Sequence, residues 1–215
     1  MKLHRTRTHE SAMGMVAVLV VIAILLLLGM VLMPAVAGCG RKSSPRIHCV
    51  SNLKNVGLSF RIFATDNGDR FPPALMLSNG VELAAIDIVS VYRSLSNELS
   101  TPRLLFCGSD KKRKPAADFV DFTSEDVSYF VSLSADETKP GTFLAGDRNL
   151  SVDGKGLPPG LIKVTTNLAL GWTEEMHNHQ GNVVMGDGSV QQMSNSRFRT
   201  SIKDQDVQTN HFLIP

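Results

Sequence analysis

The chain has 215 residues, with 22 Lys and Arg against 20 Asp and Glu, for a net charge of +2. That near balance, without a basic stripe interleaved with aromatics, argues against nucleic acid as a partner, and the length allows one or two domains. Hydrophobic residues make up 43%, but they are unevenly spread: from Ser11 to Gly40 there is no Asp, Glu, Lys or Arg. Within that run Met15–Met33 is almost entirely Val, Ile, Leu, Met and Ala. At about 1.5 Å per residue such a helix reaches roughly 30 Å, the thickness of a bilayer core. The sequence therefore predicts a transmembrane helix over 13–40 that anchors an extracytoplasmic domain over 41–215. This is the expectation for a single-pass protein of the bacterial inner membrane. Lys2, Arg5 and Arg7 precede the apolar run, as in a secretory n-region.

Three processing sites are compatible with this N-terminus. Ala35-Val36-Ala37 fits the small-x-small pattern of a general signal peptidase. Val36-Ala37-Gly38-Cys39 resembles a lipobox, which would leave Cys39 lipid-modified. The third lies upstream. A short basic leader, the small residue Ala12, then Met13 and the apolar run with Val18-Leu19-Val20-Val21-Ile22-Ala23-Ile24-Leu25 resemble prepilin-like proteins of type IV pili and type II secretion. The resemblance implies cleavage between Ala12 and Met13 by a prepilin peptidase, with residues 1–12 as leader. Pro34 falls where pilin helices often kink. The chain departs from that pattern in Ala12 for Gly, Met13 for Phe and Ala17 for an acidic residue. The last departure argues against a major polymerising subunit.

Beyond the apolar run, Cys49, Leu53, Val56, Phe60 and Phe63 recur at spacings of four, three, four and three. That is one apolar seam on a helix, and Asp66-Asn67-Gly68-Asp69 ends it, with Gly68 as a left-handed cap. A single helical rod, kinked near Pro34, Gly38, Gly40 and Pro45, is the expected outcome. Phe71-Pro72-Pro73 reads as a loop, and Glu82–Leu99 as a second helix. The basic run Lys111–Lys114 reads as a solvated turn. Val127–Val131 and Thr142–Ala145 read as strands, and Leu150–Gly160 as a loop. Gly181–Gly186 and Ser189–Met193 flank Asp187-Gly188, a hairpin signal for a type I′ turn. A short helix near Ser196–Lys203 and a strand near Phe212–Ile214 close the chain.

Cys49 through Pro72, Asn97 through Asp110 and Val127 through Leu150 resemble a large group of bacterial pseudopilin-like proteins. His177, nine intervening residues and then Asp187-Gly188 match the H-X9-DG signature of one such family. The resemblance implies an α+β, type IV pilin-like fold, with a long N-terminal helix packed on an antiparallel sheet and an extra helix. It implies a structural or assembly role in a secretion or pilus-type system, with other pseudopilins or secretion components as partners.

Three cysteines are present, Cys39, Cys49 and Cys107. An exported chain meets oxidising conditions, so a Cys49–Cys107 pair is expected, against the alternative of two buried thiols. Cys39 is left over, either unpaired or lipidated. For chemistry, His177 and His179 offer metal-ligand spacing on one side of an extended segment, with Asp187 near, but no third ligand has a defined spacing. A structural His177 that hydrogen-bonds the hairpin is the favoured reading. Asp66–Asp69 and Asp147-Arg148-Asn149 read as a helix cap and a polar turn, not as calcium loops. There is no His-Glu-x-x-His, Gly-x-Ser-x-Gly, P-loop or Gly-x-Gly-x-x-Gly pattern, so neither an enzyme nor a cofactor is expected. Trp172 is expected to pack beside the hairpin. The alternative function is a membrane-tethered or lipid-anchored binding module whose loops Leu150–Gly160 and Phe71–Asn79 hold a ligand.

Overall fold

The computed structural model describes residues 7–37, 45–205, 207 and 209–215, with side chains from 14–30 and from Arg46 onward. The chain divides into two compact units, Met1–Lys42 and Ser43–Pro215. The first contains helix α1, Arg7–Ala37, which runs through both Ala12 and Met13. Its large apolar side chains from Met15 to Met30 are each between 48% and 76% exposed, with no polar stripe among them.

The expectation of a membrane-spanning helix over 13–40 is corrected here. Among the described residues no helix is long and apolar enough to cross a membrane. The assignment to the inner membrane as a single-pass protein falls with it, as does the anchor half of the predicted fold class. Cys39, Gly38 and Gly40 lie outside the described residues, and so does the join of the expected rod.

The second unit is α+β with antiparallel sheets. Helix α2, Pro45–Asp66, opens with a proline at a position whose N–H has no helical partner, and carries the seam. Cys49, Leu53, Val56 and Phe60 are fully buried; Ala64, not Phe63, completes the line, and Phe63 is only half-buried. Gly68 and Asp69 take positive φ at its C-terminal end, and Asp69 N–H closes on Ala64 O at 2.9 Å. Then come α3 (Pro72–Ser78), α4 (Ile88–Ser94) and α5 (Ser96–Leu99).

Strands β1 (Tyr129–Ser132), β2 (Phe143–Asp147), β3 (Leu150–Val152), β4 (Lys155–Gly156), β5 (Gly160–Thr165), β6 (Leu170–Trp172), β7 (Gln180–Met185) and β8 (Val190–Ser194) follow. Helix α6 (Asn195–Lys203) and strand β9 (Thr209–Ile214) end the chain. The larger sheet has the order β5-β9-β1-β2-β7-β8, and the smaller β4-β3-β6. Successive strand residues face opposite sides, which builds a core on each face of the larger sheet. Tyr129, Val131, Ala145 and Val184 join α2 in one core, while Phe130, Phe143, Val183 and Phe212 join Trp172, Phe198 and Ile202 in the other. Burial on both faces explains why β1 and β2 are buried at every position.

Several local expectations fail for definable reasons. Pro72 starts α3 rather than a loop, since proline suits a first helical turn. Glu82–Leu99 is not one helix. Asp87 accepts from Ser90 N–H at 2.9 Å and starts α4 afresh, after a 3-10 turn at Leu83–Ala85. The predicted loop Leu150–Gly160 holds β3 and β4, joined at Asp153-Gly154 with φ of 49° and 78°, the two positive values a type I′ turn needs. At Asp187-Gly188 only Gly188 has positive φ, 79°. Gly188 N–H donates to Met185 O at 2.9 Å and Met185 N–H to Ser189 O at 2.8 Å, a three-residue loop with a bulge. The hairpin is real, but its predicted turn type belongs to the other Asp-Gly pair.

Candidate functional site

Cys49 sits in the second turn of α2, and Cys107 just past a 3-10 turn at Pro102–Leu105. Their sulfurs form a disulfide with Cα atoms 5.0 Å apart, and both residues are fully buried. Neighbouring groups fix the backbone on each side. Asn52 Nδ2 donates to Phe106 O at 2.9 Å, and Tyr129 Oη lies 3.5 Å from both Cys49 O and Phe106 O. Burial pushes the Tyr129 hydroxyl well above its ordinary pKa, so it remains a neutral donor.

His177 comes from the turn between β6 and β7. Asn178 and His179 both take positive φ, 53° and 58°, so this segment curls instead of extending. The expectation that His177 and His179 point to one side therefore fails. His179 Nδ1 lies 3.4 Å from Trp172 O, while His177 Nε2 lies 3.4 Å from Cys107 Sγ and 3.5 Å from Asp147 Oδ2. Nor does His177 bond the turn at Asp187; its partners are the disulfide and the end of β2. Asp187 instead caps its own turn by accepting from Ser189 N–H at 2.8 Å, and its carbonyl accepts from Arg61 Nη1 at 3.1 Å.

Asp147 is fully buried. Its Oδ2 accepts from Asn182 N–H at 2.7 Å and Asn182 Nδ2 at 2.9 Å, which ties β2 to β7. Its Oδ1 has no hydrogen-bond partner among the described residues. Burial raises the Asp147 pKa to about 7, against the lowering effect of those bonds. Burial, reinforced by the Arg46 charge, lowers that of His177 to about 4.

Arg148, next in the chain, holds the rim. Its Nε and Nη2 reach the buried Asp110 carboxylate at 2.7 Å each, and Nη2 also reaches Glu175 Oε1 at 2.5 Å. Asn149 Nδ2 donates to Thr173 O at 3.0 Å. These contacts anchor the segment that carries His177. Outside it lies a cleft of about 540 Å³ lined by Arg46, Lys111, Glu174, Glu175 and His177. Trp172 packs over Gly181 of β7, beside the hairpin as expected, and stacks on Phe198 with centroids 4.2 Å apart.

The sequence brought Cys49, Cys107 and His177 forward separately; the fold puts them together. It gave no prominence to Asp147 or Arg148, whose short stretch reads as a polar turn. The signal available was Asp147 at the end of an apolar strand, where an acid is buried at a cost and needs partners. Ala12 and Met13 lie in the first turns of α1. No family model matches the chain, and comparison with curated proteins and with solved structures finds no match.

Proposed function

We propose that this protein is a non-enzymatic, pseudopilin-like assembly component of a bacterial secretion or pilus-type system. The observation that carries the reading is the pair of helices. In α2 one apolar seam packs into the core against the antiparallel sheet, and Cys49–Cys107 ties the helix to the loop after Pro102–Leu105. From Gly14 to Met30 the exposed surface of α1 is apolar all round. An exposed apolar helix face needs cover, which a packed helix of a neighbouring subunit supplies. A body held rigid by a disulfide and a helix kept for association form a division of labour suited to an assembly subunit. Ala17, in place of an acidic residue, suits a minor position over a major polymerising one.

The non-enzymatic part rests on the cluster's geometry. Cys107 and Asp147 both approach the same nitrogen of His177. An acid–base–nucleophile relay needs the acid and the nucleophile on opposite ring nitrogens. The sulfur is also already bonded to Cys49.

Processing by a prepilin peptidase is part of the proposal. Edman sequencing or intact mass of the protein from a host with that peptidase should give Met13 as the mature N-terminus. An N-terminus at Met1 or Cys39 contradicts it. The reading as a binding module has one observation in its favour, the cleft beside His177. Its mixed lining of Arg46, Lys111, Glu174 and Glu175 selects no single ligand charge.

A further inference from the structure

A disulfide needs no imidazole against its sulfur, yet His177 Nε2 is placed there, buried, from a third segment of the chain. We propose that when the Cys49–Cys107 bridge is reduced, Cys49 Sγ, Cys107 Sγ and His177 Nε2 form a buried site for a divalent cation of the zinc class. The disulfide and the metal-bound form are alternative states of one cluster.

The geometry supports this in three ways. The three donor atoms all lie within 4.8 Å of one another, and all three residues are buried. Two thiolates and an imidazole are the donor set that borderline-soft cations prefer. Metal–ligand distances of about 2.3 Å to sulfur and about 2.0 Å to nitrogen put donors of a tetrahedral site roughly 3.5 Å apart. Cys107 Sγ and His177 Nε2 already stand 3.4 Å apart. The two sulfurs have to separate, and Cys49 Sγ has to settle at the same spacing from Nε2, within the 4.8 Å that already spans the three donors.

The surroundings are fixed independently of the bridge. Asn52, Tyr129 and the carbonyls of Cys49 and Phe106 hold both cysteine backbones. Asp147 Oδ2, 3.5 Å from Nε2, borders the three donors and can order a water in the fourth position. Asp147 Oδ1 is buried without a partner among the described residues, an unmet acceptor next to the donors. His177 is also a wall of the outer cleft, and Glu174 and Glu175 line the approach.

The redox step balances. A dithiol reductant delivers two electrons and two protons, the S–S bond breaks to two thiols, and the reductant leaves as its own disulfide. The cation then displaces both thiol protons to solvent and binds the two thiolates.

The test uses the full chain carrying Cys39→Ser, reduced with a phosphine under anaerobic conditions, with Co²⁺ as the probe. The proposal predicts uptake of one Co²⁺, with a thiolate-to-cobalt band in the near ultraviolet and the visible bands of a tetrahedral site. Zn²⁺ should bleach them, and the oxidised protein should show none. His177→Ala should weaken Co²⁺ binding at least tenfold and move the visible bands. A folded, reduced chain that develops no such bands overturns the proposal, as does a spectrum and affinity unchanged by His177→Ala. A reduced chain whose far-ultraviolet circular dichroism collapses and is not restored by Co²⁺ also overturns it.

Discussion

His177 Nε2 lies 3.5 Å from Asp147 Oδ2, in a site where the imidazole is nearly buried and the carboxyl completely so. Burial moves the two pKa values in opposite directions, Asp147 from 3.8 to about 7 and His177 from 6.5 to about 4. The signs oppose. Folded Asp147 keeps its proton longer than the unfolded chain does, so its contribution is present below its ordinary pKa and lost as pH rises through about 7. Folded His177 loses its proton earlier, so its contribution is present above 6.5 and lost as pH falls through about 4. Between these limits the two slopes work against each other. In the oxidised protein, urea midpoints should therefore vary little from pH 4 to 6.5. Asp147→Asn should make stability climb with pH across that window, and His177→Gln should make it fall. Identical profiles for the three proteins would contradict this assignment.

The two Asp-Gly turns differ in what a side chain would meet. A Cβ on Gly188 would sit 3.1 Å from Arg61 Cδ, at a φ of 79°. A Cβ on Gly154 would meet nothing within 4 Å, at a φ of 78°. Gly188→Val should cost about 1–3 kcal/mol from backbone strain, with crowding of Arg61 adding to it. Gly154→Val should cost the strain alone. Chemical denaturation of both variants checks the order, and a larger loss at Gly154 would refute it.

The disulfide closes a loop with a sequence separation of 58. In the chain-entropy model that constraint is worth about 4 kcal/mol. A Cys49→Ser, Cys107→Ser double variant should lose stability on that scale while keeping its far-ultraviolet circular dichroism. Peptide mapping without reduction should recover the Cys49–Cys107 pair from the native protein. Ready alkylation of both thiols in the unreduced, folded protein would contradict the bridge.

Much of the second unit was legible in the sequence because its signals are local. The α2 seam, the hairpin at Asp187-Gly188 and the start of α6 follow from periodicity and turn chemistry. The Cys49–Cys107 pair was expected from export to an oxidising compartment and the seam position of Cys49, and the fold brings the two together. The rest depended on tertiary placement. Strands β5 and β6 were missed because Gly160–Thr165 and Leu170–Trp172 lie among turn residues and become strands by pairing with β9 and β3. The partners of His177 could not be read from the H-X9-DG spacing. Two left-handed residues after it turn the chain away from the extended geometry that spacing suggests. The apolar run was legible as a helix, but the length needed to cross a bilayer was not met among the described residues.

The claim that α1 is kept for association between subunits is open to a direct measurement. Single cysteines placed at successive positions from Val16 to Leu28, in a Cys39→Ser chain expressed in a host that processes it, can be oxidised and scored for linked pairs of α1 helices. Packing of α1 against a second copy predicts strong linkage at every third or fourth position and weak linkage between, the signature of one helix face meeting another. Linkage at no position, or equal linkage at all of them, would contradict an assembly role for α1.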